Sequence, residues 1–90
     1  MNAPATDAYE LRDTYYAEEL VEPARVQFPE KGGEGRLERI RIKETNNVEI
    51  RLSWWKDGHM INRPLDLSER DLMTLLGRAV TLGVLRLQEE

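Results

Sequence analysis

The sequence predicts an α+β fold, an antiparallel β-meander of three to four strands followed by one C-terminal amphipathic helix. Three observations carry the prediction. Apolar and polar residues alternate in "LERIRIK" (37–43) and again in "VEIRLSWW" (48–55), and a period of two belongs to strands. Turn-forming "ETNN" and "KDG" follow these two runs. After Ser68, apolar residues recur at helical spacing up to Leu82, and Gly83 follows.

Residues 1–35 are expected to form an acidic flexible arm and a Gly-rich linker. "DAYELRDTYYAEELVEPARVQF" sets Tyr9, Tyr16 and Leu20 at roughly helical spacing, and Pro23 would end a helix there. That stripe is thin, so the segment reads as a frayed or partner-dependent helix, or as disorder, with a short strand open at Val26, Gln27 and Phe28. "PEKGGEGR" (29–36) reads as a flexible connector.

The compact part is expected over residues 36–90. In its first strand Ile40 and Ile42 alternate with Arg39, Arg41 and Lys43. In the second, Val48, Ile50, Leu52 and Trp54 share one face, and Glu49, Arg51, Ser53 and Trp55 share the other. A short strand is expected near His59 to Asn62. Pro64 then favours an edge, with Leu65 and Leu67 pointing inward. Ser68 caps a helix over 69–82 by accepting from the amide of Asp71, and Gly83 ends it. The helix's apolar arc (Leu72, Met73, Leu75, Leu76, Ala79, Val80, Leu82) is close to twice the ~100° stripe that one sheet needs. The surplus is expected to meet a second copy through Leu72, Leu75, Leu76, Ala79 and Leu82. The alternative is cover by the N-terminal Tyr15, Tyr16 and Phe28.

The order "ERIRIKETNNVEIRLSWWKDG" followed by "NRPLDLSERDLMTLLGRA" resembles the C-terminal domain of the single-stranded-DNA-binding transcriptional coactivators, the positive cofactor family, and its bacterial and phage relatives. The resemblance spans Arg36 to about Val84. It implies a curved four-stranded sheet followed by a helix, two copies paired through their helices, and sheets that grip single strands with basic and aromatic side chains. Arg63-Pro64 stands where that family commonly has Lys-Gly, and the acidic arm differs from a basic one.

Charge distribution and the paired tryptophans bear on function. Residues 1–34 carry eight acidic and three basic side chains, a net −5, whereas residues 35–63 carry seven basic and four acidic, a net +3. If Ile40, Ile42, Val48, Ile50, Leu52 and Trp54 face the helix, the other face shows Arg39, Arg41, Lys43, Arg51 and Trp55. Cations for phosphates and a flat ring for an unstacked base are what a single strand requires. Trp55 is then the stacking platform, extended by Lys56, His59 and Arg63. The plainer reading makes the cations solvated and sets Trp55 over a sheet edge or under the N-terminal arm.

Other function classes find little support. One histidine, no cysteine and scattered carboxylates offer no metal site, and no cofactor or catalytic residue is expected. "GGEG" is not followed by the Gly-Lys-Ser/Thr of a phosphate loop. No run approaches the ~18–20 apolar residues of a membrane span. The lack of cysteine and of a secretory leader fits a cytoplasmic location. The sequence reading is therefore a non-enzymatic, homodimeric binder of single-stranded DNA or RNA. The alternative is a regulatory module that engages a protein through its acidic, Tyr-rich arm.

Overall fold

The computed structural model describes residues 9–87. These form six strands and one helix: β1 (Ala17–Glu19), β2 (Ala24–Gln27), β3 (Glu34–Ile42), β4 (Val48–Lys56), β5 (His59–Met60), β6 (Leu65–Leu67) and α1 (Glu69–Leu82). The strands make one curled antiparallel sheet, so the expected α+β class holds. The long β3 and β4 lie at its centre. β1 and β2 pair with the free edge of β3, and β5 and β6 with the free edge of β4.

The local signals act as anticipated. Asn46 takes the left-handed conformation (φ 65°) in the β3–β4 turn, where its N–H donates to Ile42 O. Asp57 and Gly58 both have positive φ (52° and 79°), the mark of a two-residue hairpin turn joining β4 to β5. Ser68 Oγ accepts from the Asp71 amide at 3.0 Å, and Gly83 ends α1 at φ 83°.

Two expectations are corrected. Described residues of the supposed arm are part of the sheet, because the main chain of β3 offers a long edge. Glu18 pairs there with Arg41, and Arg25 with Arg36. The presumed linker contains the β2–β3 hairpin loop, closed by Phe28 N–H to Gly33 O at 2.9 Å and by Gly32 N–H to Phe28 O at 2.8 Å. Residues 1–8 lie outside the described part, and the boundary expected after residue 35 falls inside β3.

The second correction concerns register. Arg39 pairs with Ile50, Ile40 with Glu49 and Arg41 with Val48. Paired residues point to the same side, so Ile40 and Ile42 do not share a face with Ile50 and Leu52. Ile42 N–H donates to Asn47 O, which leaves four residues, 43–46, in the loop; an odd-numbered loop would have aligned the two apolar sets. One face thus carries Ala17, Glu19, Glu38, Ile40, Ile42, Arg51, Ser53 and Trp55, all buried. Residues of the N-terminal segment cover this face. The opposite face carries Leu37, Arg39, Arg41, Ile50, Leu52, Trp54 and Leu65, with α1 lying against part of it.

α1 covers little. No residue of the helix is buried, and Leu75 and Leu82 are 57% and 77% exposed. Tyr16 stands against Arg51 on the other face and Tyr15 is 95% exposed, so neither covers the helix's surplus apolar arc.

Two glycines permit the β2–β3 hairpin. A Cβ on Gly33 (φ +80°) would stand 2.2 Å from Trp55 O, and one on Gly35 would stand 2.5 Å from the Phe28 ring. Gly33→Ala is expected to cost about 2 kcal/mol or more, combining left-handed strain with backbone displacement. Thermal denaturation should show it as a Tm lowered by roughly 10 °C.

Candidate nucleic-acid interface

The cations expected to form one surface are divided between two faces, and carboxylates neutralise them. Arg39 and Arg41 lie on the helix side. Arg39 bonds Glu69 at 3.1 Å, Arg41 bonds Glu18 at 2.8 Å, and Lys43 pairs with Asp13. Arg51 lies on the opposite side, buried. It grips Asp66 with two bonds of 2.8 and 2.9 Å, and its guanidinium stands 5.4 Å from the centre of the Tyr16 ring. Hydrogen bonding to Asp66 raises the Arg51 pKa. All five cations between residues 36 and 51 are ion-paired, since Arg36 bonds Glu34.

Trp55 cannot serve as a stacking platform in this arrangement. It is 8% exposed, with the Arg12 guanidinium 4.6 Å from its ring centre and that of Arg36 at 4.3 Å. Its Nε1–H donates to Ser53 Oγ at 2.8 Å. The ring packs under the N-terminal segment, the plainer of the two readings of this residue.

Trp54 is in the opposite situation. It is half-buried on the helix side, and its Nε1–H donates to Gly32 O at 3.0 Å, which fixes the indole against the hairpin loop. Phe28 comes from the end of β2 and Trp54 from β4. Together with Lys31, Leu52, Asn62, Arg63 and Leu65 they line an open cleft of about 350 Å³. The Lys31 ammonium stands 5.1 Å from the Trp54 ring centre and 5.7 Å from that of Phe28. Lys56 reaches over Gly32 beside the cleft, and His59 pairs with Lys56 across the β4–β5 hairpin. Lys31, Lys56 and Arg63 make no salt bridge among the described residues.

The structure thus keeps Lys56, His59 and Arg63 at one end of the sheet, away from Arg39, Arg41, Lys43 and Arg51. Trp55 lies at the same end but is buried on the other face. Phe28, Lys31 and Trp54 were missed. The available signal was "FPEK" (28–31), an aromatic and a cation in a loop whose glycines bring it back over the strand carrying Trp54. An indole face near unpaired cations can hold an unstacked base while the cations meet phosphate oxygens. Lys31 occupies that indole face in the free protein. An exposed cation–π contact is worth ~0.5–1 kcal/mol and base stacking ~1–3 kcal/mol, so a base can displace the ammonium toward the backbone.

Of the predicted dimer residues, Leu72 is half-buried beside Leu37 and Ile50 of the sheet, Ala79 is half-buried, and Leu75, Leu76 and Leu82 are exposed. Among the described residues there is no group of three or more potential metal-binding side chains, and no helix is long and apolar enough to cross a membrane. In comparisons with known proteins, the chain matches no family model, no curated protein and no solved structure.

Proposed function

We propose that this protein is a homodimeric binder of single-stranded nucleic acid that contacts its ligand at the Phe28–Trp54 cleft, with a role at unwound strands in transcription or replication. The observation that carries this reading is the juxtaposition of a half-exposed indole with Lys31, Lys56 and Arg63, while the cations at 36–51 are neutralised within the chain. The small number of unpaired cations and the overall charge of −4 favour an unstacked strand over a duplex, whose affinity depends on a broad cationic surface.

Dimerisation rests on the uncovered apolar surface. Leu37, Leu75, Leu76 and Leu82 are all exposed on the sheet's helix side or on α1 itself, outside the cleft. A two-fold partner would cover both elements at once, and its second cleft would raise avidity for one strand.

Fluorescence anisotropy with a labelled strand of about 20 nucleotides and its duplex, at two salt concentrations, tests the binding reading. Three phosphate-facing cations would give log K a slope of about −2 against log[salt], from roughly −0.7 per contact. Removing two of them by Lys31→Ala with Arg63→Ala should flatten that slope to about −0.7 and weaken binding at low salt. Equal affinity for strand and duplex, or no effect of the double substitution, would count against the cleft. A protein-docking role for the N-terminal segment is the second reading, favoured by the 95% exposure of Tyr15 at its bend.

A further inference from the structure

Two carboxyl groups are buried together beneath the N-terminal segment. The Glu38 side chain has 0% accessible surface, and Glu19 is 4% exposed. They are neighbours because Glu19 pairs with Ile40, two residues from Glu38 on the same face.

Every element packed around the pair contributes a charged or polar group. From the N-terminal segment, Tyr9 Oη donates to Glu19 Oε1 at 2.6 Å, and the Arg12 backbone N–H donates to the same oxygen at 2.8 Å. Arg12 Nη1 reaches Glu38 Oε2 at 3.3 Å. From β4, Ser53 Oγ donates to Glu38 Oε1 at 3.4 Å. Arg51 is turned to Asp66 of β6 and to Tyr16, and Arg36 of β3 is held by Glu34. That leaves Glu19 Oε2 buried without a hydrogen-bond donor.

Diagonal neighbours on one face of paired strands stand ~7–8 Å apart at the backbone, a span that two glutamate side chains can bridge. With both groups ionised, Arg12 alone would compensate two buried charges at direct contact. A proton on Glu38 removes the repulsion and supplies the missing donor. We propose that Glu19 and Glu38 share one proton, and that this proton latches the N-terminal segment, residues 9–19, onto the sheet.

Burial, reinforced by the hydrogen bond and charge of Glu19, pushes the Glu38 pKa up to about 7. Burial would raise Glu19 too, but hydrogen bonds with Glu38 and Tyr9 outweigh it and hold Glu19 below its ordinary value. For Glu38 the folded value exceeds the ordinary 4.5, so its stabilisation is complete below pH 4.5 and is lost as pH rises through about 7. Glu19 has the opposite sign, with stabilisation present above pH 4.5 and lost as pH falls through its lowered value. Tyr9, pushed up to about 12 by burial and by Glu19, keeps its proton throughout this window. The latch therefore opens on the alkaline side. Opening removes Arg12 from Trp55, Glu18 from Arg41 and Asp13 from Lys43.

Trp55 reports the latch when Trp54→Phe leaves it the sole tryptophan of the full chain. Between pH 5.5 and 8.5, its emission should shift to the red and its quenching by acrylamide should rise several-fold, with a midpoint near 7. In Glu38→Gln, whose amide can donate at every pH, both signals should stay flat. A flat profile in Trp54→Phe, or the same transition when Glu38→Gln is added to it, would overturn the proposal. Carboxyl ¹³C titration of the unsubstituted protein decides the matter even if Glu38→Gln fails to fold. One glutamate should titrate near pH 7, and titration of every glutamate below pH 6 excludes the shared proton.

Discussion

Trp55→Ala should cost about 3–5 kcal/mol of folding stability, the range for deleting a buried large aromatic. At 4–8 °C per kcal/mol, that corresponds to a Tm lowered by roughly 15 °C or more. Trp55 is the largest side chain on the buried face, with the Arg12 and Arg36 guanidinium groups near its ring and its Nε1–H bound to Ser53. Trp54→Ala should cost far less stability, because the ring is half-exposed and loses one hydrogen bond to Gly32 O. Its main effect should be on binding, where removal of one stacking platform worth ~1–3 kcal/mol weakens single-strand affinity by about 5- to 150-fold. Calorimetry and anisotropy on the same two variants separate these effects. Similar stability losses in both, with unchanged affinity in Trp54→Ala, would contradict the assigned roles.

Leu75→Glu is expected to convert the proposed dimer to a monomer. Leu75 is 57% exposed on α1, so the isolated chain accepts a carboxylate there at little cost. In a helix-mediated interface the same carboxylate is desolvated without a partner, and a penalty of ~3 kcal/mol raises the dimer dissociation constant by about 150-fold. Sedimentation equilibrium distinguishes the outcomes. A wild-type protein already monomeric at high micromolar concentration would remove the dimer, and an unchanged dimer in Leu75→Glu would place its interface elsewhere. Leu37→Glu examines the sheet side in the same way, since Leu37 is 37% exposed and lies outside the cleft.

What could be read from the sequence was local. The alternation within β4, the left-handed Asn46 and the Ser68 and Gly83 caps depend on a few neighbouring residues, and each appears where their chemistry puts it. Register could not be read, because it depends on whether the loop after β3 holds an even or odd number of residues. With four, Arg39 and Arg41 lie with Ile50, and Ile40 and Ile42 lie with Arg51.

That shift also defeats the rule that the polar half of an alternating strand faces water. Arg51 and Ser53 are buried because Asp66 and Glu38 satisfy them, and those partners lie 15 residues away in each case. The β1 and β2 strands were hidden for the same reason. They are three and four residues long and are held by the edge of β3, while local periodicity in that segment points to a helix. One legible clue was complementarity, since "AEEL" carries the carboxylate that neutralises Arg41 once the strands pair.

The two adjacent tryptophans of "SWWK" are assigned opposite duties: Trp55 holds the covered face together and Trp54 meets the ligand. The most direct test is the ¹H–¹⁵N spectrum of the protein, in which each indole Nε1–H gives one resonance, titrated with an unlabelled single strand. The Trp54 resonance should move progressively with added strand while that of Trp55 stays in place. Movement of Trp55 instead, or of neither resonance, would contradict the account.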